Sequence, residues 1–259
     1  MLLEGRVIVV SGVGPGVGRA VALGAAREGA HVVLGARTEE RLREVAAEVE
    51  GLGRKAVWRV TDIRDEEQCR SLVGTAAETF GGINALVNNA FWHGPMGRFD
   101  DATPDMWRKA FDVNVVGSLA MTNAVLPAMK ERGRGSVVFV NSLAARQGWQ
   151  EEAAYAASKA ALLNAARALA RAHGPDGVRV NSVLPGPIMG PSLEYWFGHL
   201  AEQRGVTPQD VYDEWADETC LRHIPTSEEV ADAVLFLCSD LSAAITGQAL
   251  HVNAGQFLG

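Results

Sequence analysis

Short apolar runs rich in β-branched residues alternate along the chain with longer segments rich in Ala, Leu, Glu and Arg. The runs are apolar throughout, which is typical of strands that are covered on both faces of a parallel sheet. Strands are predicted over residues 7–10, 31–34, 56–60, 85–87, 136–140, 179–184 and 249–252. Helices are predicted from about Val17 and over residues 39–50, 66–80, 104–132, 152–173 and 227–238. The pattern predicts an α/β fold, a doubly wound parallel β-sheet of about seven strands with helices on both faces.

Residues 186–224 depart from this alternation. The stretch is long, carries Trp, Tyr and Phe side chains, and is broken by Pro187, Pro191 and Pro208. An insertion after a late strand of an open α/β sheet lies over the carboxyl ends of the strands, where such sheets bind ligands. We therefore expect one domain over residues 1–259, with a partly helical substrate lid at about 186–224. An ordinary surface excursion is the alternative.

The charge of the chain narrows the classes of partner. Its 24 Lys and Arg against 31 Asp and Glu give a formal net charge of -7. Nucleic acids and anionic membranes both attract clustered Lys and Arg, so neither is an expected partner. No apolar stretch reaches the roughly 18 residues of a spanning helix, and the N-terminus shows no signal-peptide pattern. These features predict a cytoplasmic protein.

The residues that most often bind metals or form disulfides show no useful spacing. Cys69, Cys220 and Cys238 are far apart and form no C-x-x-C pair, and the six His are scattered. We expect free thiols in a reducing compartment and no metal site.

Four glycines, Gly12, Gly14, Gly16 and Gly18, stand between the first predicted strand and the helix that follows it. Such a turn suits a phosphate, because a helix N-terminus offers unpaired N–H groups and glycine lets a pyrophosphate approach the backbone. The spacing fits G-x-x-x-G-x-G and satisfies neither G-x-G-x-x-G nor G-x-x-x-x-G-K-[ST]. A glycine-rich turn can also be a packing device, so the interpretation needs support from other residues.

Four polar residues supply that support. Tyr155 and Lys159 are spaced i, i+4 on a predicted helix and share one face. Ser142 ends the apolar strand "SVVFVNS", and Asn114 stands in mid-helix, where Asn has a poor propensity. Each has an ordinary structural alternative: an exposed helix pair, a strand-end turn residue and a buried helix kink.

In combination these pieces resemble the short-chain dehydrogenase/reductase family, which has a Rossmann-type fold and uses NAD(P). The matching stretches stand in family order over essentially the whole chain: "SGVGPGVG", "TDI" at 61–63, "NNA" at 88–90, "NVVG" at 114–117, Ser142, "YAASK" at 155–159, "PGPI" at 185–188 and "ITGQALHVNAG". Three departures stand out. Ser11 replaces a usual Thr, Phe91 replaces the usual Gly after "NNA", and Asn253 and Ala254 replace a usual Asp-Gly.

The resemblance implies a catalytic role for the four polar residues. A phenol with a pKa near 10 is a poor base at neutral pH, and a Lys159 ammonium beside it would favour the phenolate. By resemblance, Tyr155 exchanges the proton of the substrate, Lys159 also binds the nicotinamide ribose, Ser142 holds the substrate oxygen, and Asn114 orders a water that relays protons to Lys159.

The resemblance also implies the cofactor contacts and the assembly. The expected contacts with NAD(P) are Ser11, Gly12, Gly16, Val17, Gly18, Ala36, Arg37, Asp62, Ile63, Asn89, Ala90, Tyr155, Lys159, Pro185, Gly186 and Ile188. Family members mostly form tetramers on the helices predicted at 104–132 and 152–173. We therefore expect a homotetramer, or at least a dimer.

The substrate is expected to be a bulky, largely apolar secondary alcohol or ketone, such as a cyclic alcohol, a terpenoid, a steroid-like ring or an acyl chain. The residues behind this expectation fall in loops predicted near the nicotinamide: Trp92, Leu143, Trp149, Met189, Tyr195 and Trp196. Alternatively, these side chains pack the lid or a subunit contact. A non-catalytic nucleotide sensor is the alternative function, but a sensor is expected to have lost Tyr155 or Lys159.

The sequence favours NADP over NAD. Ala36 stands at the end of the second strand, where NAD-using relatives carry Asp, and Arg37 follows it. A guanidinium makes two charge-assisted hydrogen bonds to a phosphate, and Ala cannot bind a ribose hydroxyl. Against this, Pro15 occupies a position that is basic in many NADP-using relatives, and Arg37 could simply stack on adenine. NAD therefore remains the alternative.

Overall fold

The computed structural model describes residues 1–258, and within them seven strands form one sheet in the order β3-β2-β1-β4-β5-β6-β7. All neighbouring strands are parallel. The strands are β1 Val7–Ser11, β2 His31–Ala36, β3 Ala56–Val60, β4 Ala85–Asn88, β5 Gly135–Val140, β6 Val178–Pro185 and β7 Ala249–Val252. Each coincides with a predicted strand, and the predicted doubly wound parallel sheet is confirmed.

Helices cover both faces of this sheet. They are α1 Val17–Arg27, α2 Glu39–Gly51, α3 Glu66–Phe80, α4 Pro104–Phe111, α5 Ser118–Glu131, α6 Ala153–His173, α7 Pro191–Arg204, α8 Pro208–Asp217 and α9 Ser227–Cys238. Strand β1 shows why its run had to be apolar throughout. Ile8 and Val10 pack into the core beneath α1, α2 and α9, whereas Val7 and Val9 pack into the core beneath α3, α5 and α6. Successive side chains point to opposite faces, and both faces are buried.

The helix predicted over 104–132 is wrong in one respect, because a π-helical turn at Asp112–Gly117 divides it into α4 and α5. The turn passes close to Ile63: a Cβ on Gly117 would lie 2.8 Å from the Ile63 side chain. It also carries Asn114, whose side chain bonds to other parts of the chain. Single-turn π segments of this kind often occur at functional sites.

The segment predicted as a partly helical lid contains two helices, α7 and α8. They pack on each other through a small apolar cluster around Phe197, whose ring contacts Tyr212 and Trp215 edge-on. The segment is joined to the sheet domain at Met189, whose N–H donates to the Pro225 carbonyl at 2.8 Å. This junction holds the start of α7 beside the carboxyl ends of the strands.

Two further properties concern the described chain as a whole. None of its helices combines the length and apolar character needed to cross a lipid bilayer. Its three cysteines are free, and burial raises the pKa of the Cys69 thiol to about 11 and that of Cys238 to about 12. These two buried thiols therefore stay protonated and unreactive at neutral pH.

Candidate active site

A cavity of about 600 Å³ opens at the carboxyl ends of the strands. Strands β1 and β4 are neighbours there, although they are far apart in sequence. The chain leaves β1 for the sheet face covered by α1 and leaves β4 for the opposite face. This divergence opens a crevice between the two loops, which is where open α/β sheets bind nucleotides.

The turn after β1 forms one wall of the cavity, and its glycines serve two purposes. Gly12 has φ +93°, and a Cβ there would overlap the main chain of Ala90. A Cβ on Gly18 would overlap the carbonyl of Gly12. By contrast, a Cβ on Gly14 would meet nothing, and one on Gly16 only the Ser227 hydroxyl at 3.5 Å. The first pair is required by packing, and the second pair keeps the cavity side of the turn bare.

The bare turn ends in the N-terminus of α1. Gly16 is the N-cap residue and provides no side-chain cap, so the first N–H groups of the helix remain available. Asn89 secures the turn from β4, donating from Nδ2 to the Gly12 carbonyl at 2.6 Å. These features fit a dinucleotide, whose pyrophosphate would find both N–H donors and room to approach the backbone.

The end of β2 supplies a free cation. Ala36 and Arg37 line the cavity, and Arg37 is exposed and makes no hydrogen bond or ion pair within residues 1–258. Asp62 lies nearby but is bound by Arg64, whose Nη2 is 2.6 Å from Oδ2. This hydrogen bond lowers the pKa of Asp62, so its charge is both present and largely neutralised.

Tyr155, Lys159 and Ser142 meet at the other end of the cavity. Tyr155 and Lys159 lie on one face of α6 and are 8% and 2% exposed. The Lys159 Nζ donates to the Val140 carbonyl at 2.9 Å and lies 5.7 Å from the centre of the Tyr155 ring. Ser142 follows β5, its hydroxyl accepts from the Ala144 N–H at 3.1 Å, and its interaction with the phenol lowers the pKa of Tyr155.

Burial controls the charge of both α6 residues. It raises the pKa of Tyr155, outweighing the opposing effect of the hydrogen bond with Ser142, and it lowers the pKa of Lys159 to about 7. Desolvation thus penalises both charged forms, the phenolate and the ammonium, and the stabilisation of the phenolate by Lys159 stays a prediction. At neutral pH Tyr155 holds its proton.

Asn114 does not reach the cavity and is fully buried. Its Oδ1 accepts from the Trp92 N–H at 2.7 Å, and its Nδ2 donates to the Trp92 carbonyl at 2.9 Å and to the Ser158 hydroxyl at 2.8 Å. Both amide hydrogens of the side chain are thus used within the protein, and the role of Asn114 in ordering a relay water stays a prediction. The side chain fastens the loop after β4 to α6.

The predicted cofactor contacts all line the cavity with one exception. Ser11 is 1% exposed and lies behind Gly12, inside the sheet. The other predicted contacts converge on the cavity: Gly12, Gly16, Val17, Gly18, Ala36, Arg37, Asp62, Ile63, Asn89, Ala90, Tyr155, Lys159, Pro185, Gly186 and Ile188. Residues from the ends of five strands and from helix α6 are thus brought to one place.

The residues predicted to surround the substrate are more dispersed. Trp92 and Met189 line the cavity. Leu143 is completely buried, and Trp149 packs behind Tyr155. Tyr195 is 79% exposed and lies outside the cavity, as does Trp196, whose ring packs on His199.

Two further residues were not predicted: Leu193, which lines the cavity, and His93, which packs on Tyr155. Leu193 lies in the first turn of α7 and lines the cavity. Its position there follows from the start of the helix at Pro191. His93 packs on the Tyr155 ring at 4.6 Å between ring centres. A lone His in an irregular loop carries no spacing signal, so the sequence offered no way to find it.

The described residues contain no cluster of three or more His, Cys, Asp or Glu side chains that could hold a metal ion. The protein groups that meet at this site are a phenol, an amine and a hydroxyl, beside a bare helix N-terminus. Such a set can bind a dinucleotide and exchange one proton with a substrate oxygen.

Comparison with known proteins agrees with this geometry. A family model described as "Enoyl-(Acyl carrier protein) reductase" matches residues 12–256. L-rhamnose 1-dehydrogenase (NAD(P)(+)) of Sphingomonas sp. (strain SKA58) is 34% identical over 259 residues, covering 99% of this chain and 98% of the relative. Human dehydrogenase/reductase SDR family member 4 is 34% identical over 254 residues, covering 98% of this chain and 88% of the relative.

A solved structure shows the same fold throughout. L-sorbose reductase from Gluconobacter frateurii, complexed with NADPH and L-sorbose, superposes with a TM-score of 0.92 at 30% identity, covering 99% of this chain and 98% of the other. The chain belongs to the short-chain dehydrogenase/reductase family of NAD(P)-dependent oxidoreductases. It is an enzyme that acts on CH–OH groups.

Proposed function

We propose that this enzyme interconverts a secondary alcohol and a ketone on a bulky, largely apolar substrate, with Tyr155 as the acid/base. The observation that carries the proposal is the convergence of Tyr155, Ser142 and Lys159 at one end of the cavity. A nicotinamide cofactor bound in the cavity would supply or accept the hydride. The chain's own residues must place the substrate oxygen and move one proton.

The proton chemistry follows from the burial of Tyr155. An alcohol carbon loses hydride only as its hydroxyl proton leaves, so oxidation needs a base and reduction needs an acid at the substrate oxygen. Because the raised pKa keeps Tyr155 protonated at neutral pH, the phenol is ready to donate its proton to a ketone oxygen. The Ser142 hydroxyl holds that oxygen. The Lys159 amine lies 5.7 Å from the centre of the phenol ring.

An apolar substrate is supported by apolar side chains that line the cavity. Phe91, Trp92, Met189 and Leu193 all line it, and Phe91 is 55% exposed. An apolar lining with a few convergent polar groups is typical of small-molecule sites. The names of the relatives span L-rhamnose and L-sorbose, so this preference rests on the lining alone.

NADP is the proposed cofactor. Arg37 is unpaired and faces the cavity, Ala36 removes the acidic side chain that would repel a 2′-phosphate, and Arg64 neutralises Asp62. A guanidinium binds a phosphate more strongly than it binds a ribose hydroxyl.

A homotetramer is the proposed assembly. Phe111 and Val116, on the segment that carries α4 and the π-helical turn, are 37% and 58% exposed although apolar. Apolar side chains on a helical surface of this kind are suited to a symmetric contact between copies.

The experiment that tests the proposed function is a screen of cyclic, terpenoid, steroid and acyl-chain alcohols and ketones against sugars and polyols, each with NADPH and NADH or their oxidised forms. Absorbance of the reduced nicotinamide reports turnover. We expect the highest kcat/KM for an apolar ketone with NADPH. A higher kcat/KM for a sugar or polyol than for every apolar compound would contradict the proposed substrate class.

A further inference from the structure

His93 and Glu152 form an ion pair against the phenol ring of Tyr155. The His93 Nε2 is 3.3 Å from Glu152 Oε2, and its Nδ1 is 3.0 Å from the carbonyl of the next residue, Gly94. The imidazole ring lies 4.6 Å from the Tyr155 ring, centre to centre, with a tilt of 41°. The proposed mechanism makes no use of this pair.

The contacts of the imidazole determine its charge. Both ring nitrogens face oxygen acceptors, and a neutral imidazole has only one N–H to donate. The imidazolium satisfies both contacts. In agreement, the hydrogen bond with Glu152 raises the pKa of His93 despite its partial burial. A cation within about 6 Å of a phenol ring attracts the ring and favours the phenolate over the phenol.

Glu152 is unusual in its own position. It is the N-cap residue of α6, yet its side chain caps no N–H of the helix. Its carboxylate is 16% exposed and binds His93 instead. Because Glu152 lies three residues before Tyr155, it shares a helix face with the phenol, and its negative charge raises the pKa of Tyr155. The imidazolium is therefore the group that balances a carboxylate beside the acid/base.

We propose that His93 is a positioning residue for the reaction, whose imidazolium offsets the charge of Glu152 so that Tyr155 can exchange its proton. The proposal rests on the role of Tyr155 proposed above. The charged groups that act on His93 are Glu152 and Lys159, and Glu152 also acts on Tyr155, whereas Ser142 acts on the phenol as a hydrogen-bond partner.

The variant His93→Phe separates charge from packing, because it keeps an aromatic ring on Tyr155 and removes the cation. Glu152 is then left unbalanced, and the pKa of Tyr155 rises further. For oxidation of the best alcohol in the screen, we expect kcat/KM to be about tenfold lower at pH values below the pKa of His93, where the unaltered enzyme holds the imidazolium, and to be unchanged well above it, where the imidazole is neutral.

The double variant His93→Phe/Glu152→Gln removes both charges. We expect it to recover most of the loss that His93→Phe shows below the pKa of His93. Packing alone predicts no loss in His93→Phe, and collapse of the loop predicts no recovery in the double variant. Either result would overturn the proposal. Glu151→Gln is the matched control, since Glu151 is an exposed neighbour with no ion pair, and it should leave the profile unchanged.

A second measurement needs neither substrate nor cofactor. NMR titration of the His93 ring, assigned by its loss in His93→Phe, should give a pKa above 6.5 that falls in Glu152→Gln. A His93 pKa at or below 6.5 in the unaltered enzyme would contradict the proposal. If Tyr155→Phe keeps its activity while His93 titrates as expected, the proposed acid/base role of Tyr155 is contradicted, whereas the ion pair between His93 and Glu152 is not.

Discussion

The Lys159 ammonium nitrogen donates to the carbonyl oxygen of Val140 at 2.9 Å. This bond joins the second turn of α6 to the last residue of β5 and holds the amine at the carboxyl edge of the sheet. Ser142 follows Val140 by two residues, and Tyr155 precedes Lys159 by one helical turn. This one hydrogen bond therefore fixes the Lys159 amine, the Ser142 hydroxyl and the Tyr155 phenol relative to one another.

Replacement of Tyr155 tests the acid/base directly. Tyr155→Phe keeps the buried ring and removes the hydroxyl, so kcat/KM should fall roughly 10²- to 10⁴-fold while NADPH still binds. Steady-state kinetics and the fluorescence of bound NADPH measure the two effects. Tyr212→Phe, in the apolar cluster of α7 and α8, is the matched control. If the variant keeps more than about a tenth of kcat/KM, another group carries the proton.

The raised pKa of Tyr155 predicts opposite pH dependences for the two directions. Reduction needs the phenol, which is present below this pKa, so it should be active at neutral pH and decline as the pH rises through the pKa. Oxidation needs the phenolate and should increase with pH over the same range. Initial rates in both directions across pH check this. An oxidation rate that peaks at or below neutral pH would show that the bound enzyme ionises Tyr155 easily.

Arg37 is expected to decide between the two cofactors. Arg37→Ala removes charge-assisted hydrogen bonds to a 2′-phosphate, which should raise KM for NADP roughly 10- to 100-fold and change KM for NAD much less. Arg41→Ala is the matched control, because Arg41 lies outside the cavity and pairs with Glu44. Equal losses for both cofactors would mean that Arg37 stacks on adenine.

The two kinds of glycine in the first turn should respond differently to a methyl group. Gly12→Ala places a side chain at φ +93° against Ala90 and should cost about 2 kcal/mol or more of unfolding free energy. Gly16→Ala meets no close protein atom, so it should fold normally and weaken cofactor binding. Thermal unfolding and cofactor titration separate these effects. A Gly16→Ala protein with unchanged cofactor affinity would move the pyrophosphate away from this turn.

The molar mass in solution tests the proposed oligomeric state. Light scattering at micromolar concentration should give the mass of a tetramer of the 27.6 kDa chain. Val116→Asp puts a charge on the exposed apolar surface of the π-helical turn and should lower that mass. A monomeric mass for the unaltered chain is the contrary result.

Local features of the sequence were enough to predict most of the fold. The apolar runs predicted all the strands, and the five inner strands are buried on both faces, a requirement that is visible in the run itself, whereas the edge strands β3 and β7 are only partly buried. The spacing of Tyr155 and Lys159 predicted a shared helix face in the same way. Gly12 and Gly18 could be recognised as special, but the sequence could not separate them from Gly16, because only the main chain of Ala90 and Gly12 shows which Cβ would collide.

Only the tertiary structure determined the contacts between segments that are distant in sequence. The π-helical turn keeps the apolar periodicity nearly intact, so no pattern shows that Asn114 turns towards Trp92 and Ser158. The start of α7 at Pro191 sets the rotation that brings Leu193 to the cavity and leaves Tyr195 in solvent. His93 meets Glu152 only because the loop after β4 is tied to the N-terminus of α6. Periodicity and spacing reflect which face of a single helix or strand is buried, whereas these contacts depend on how separate elements pack against one another.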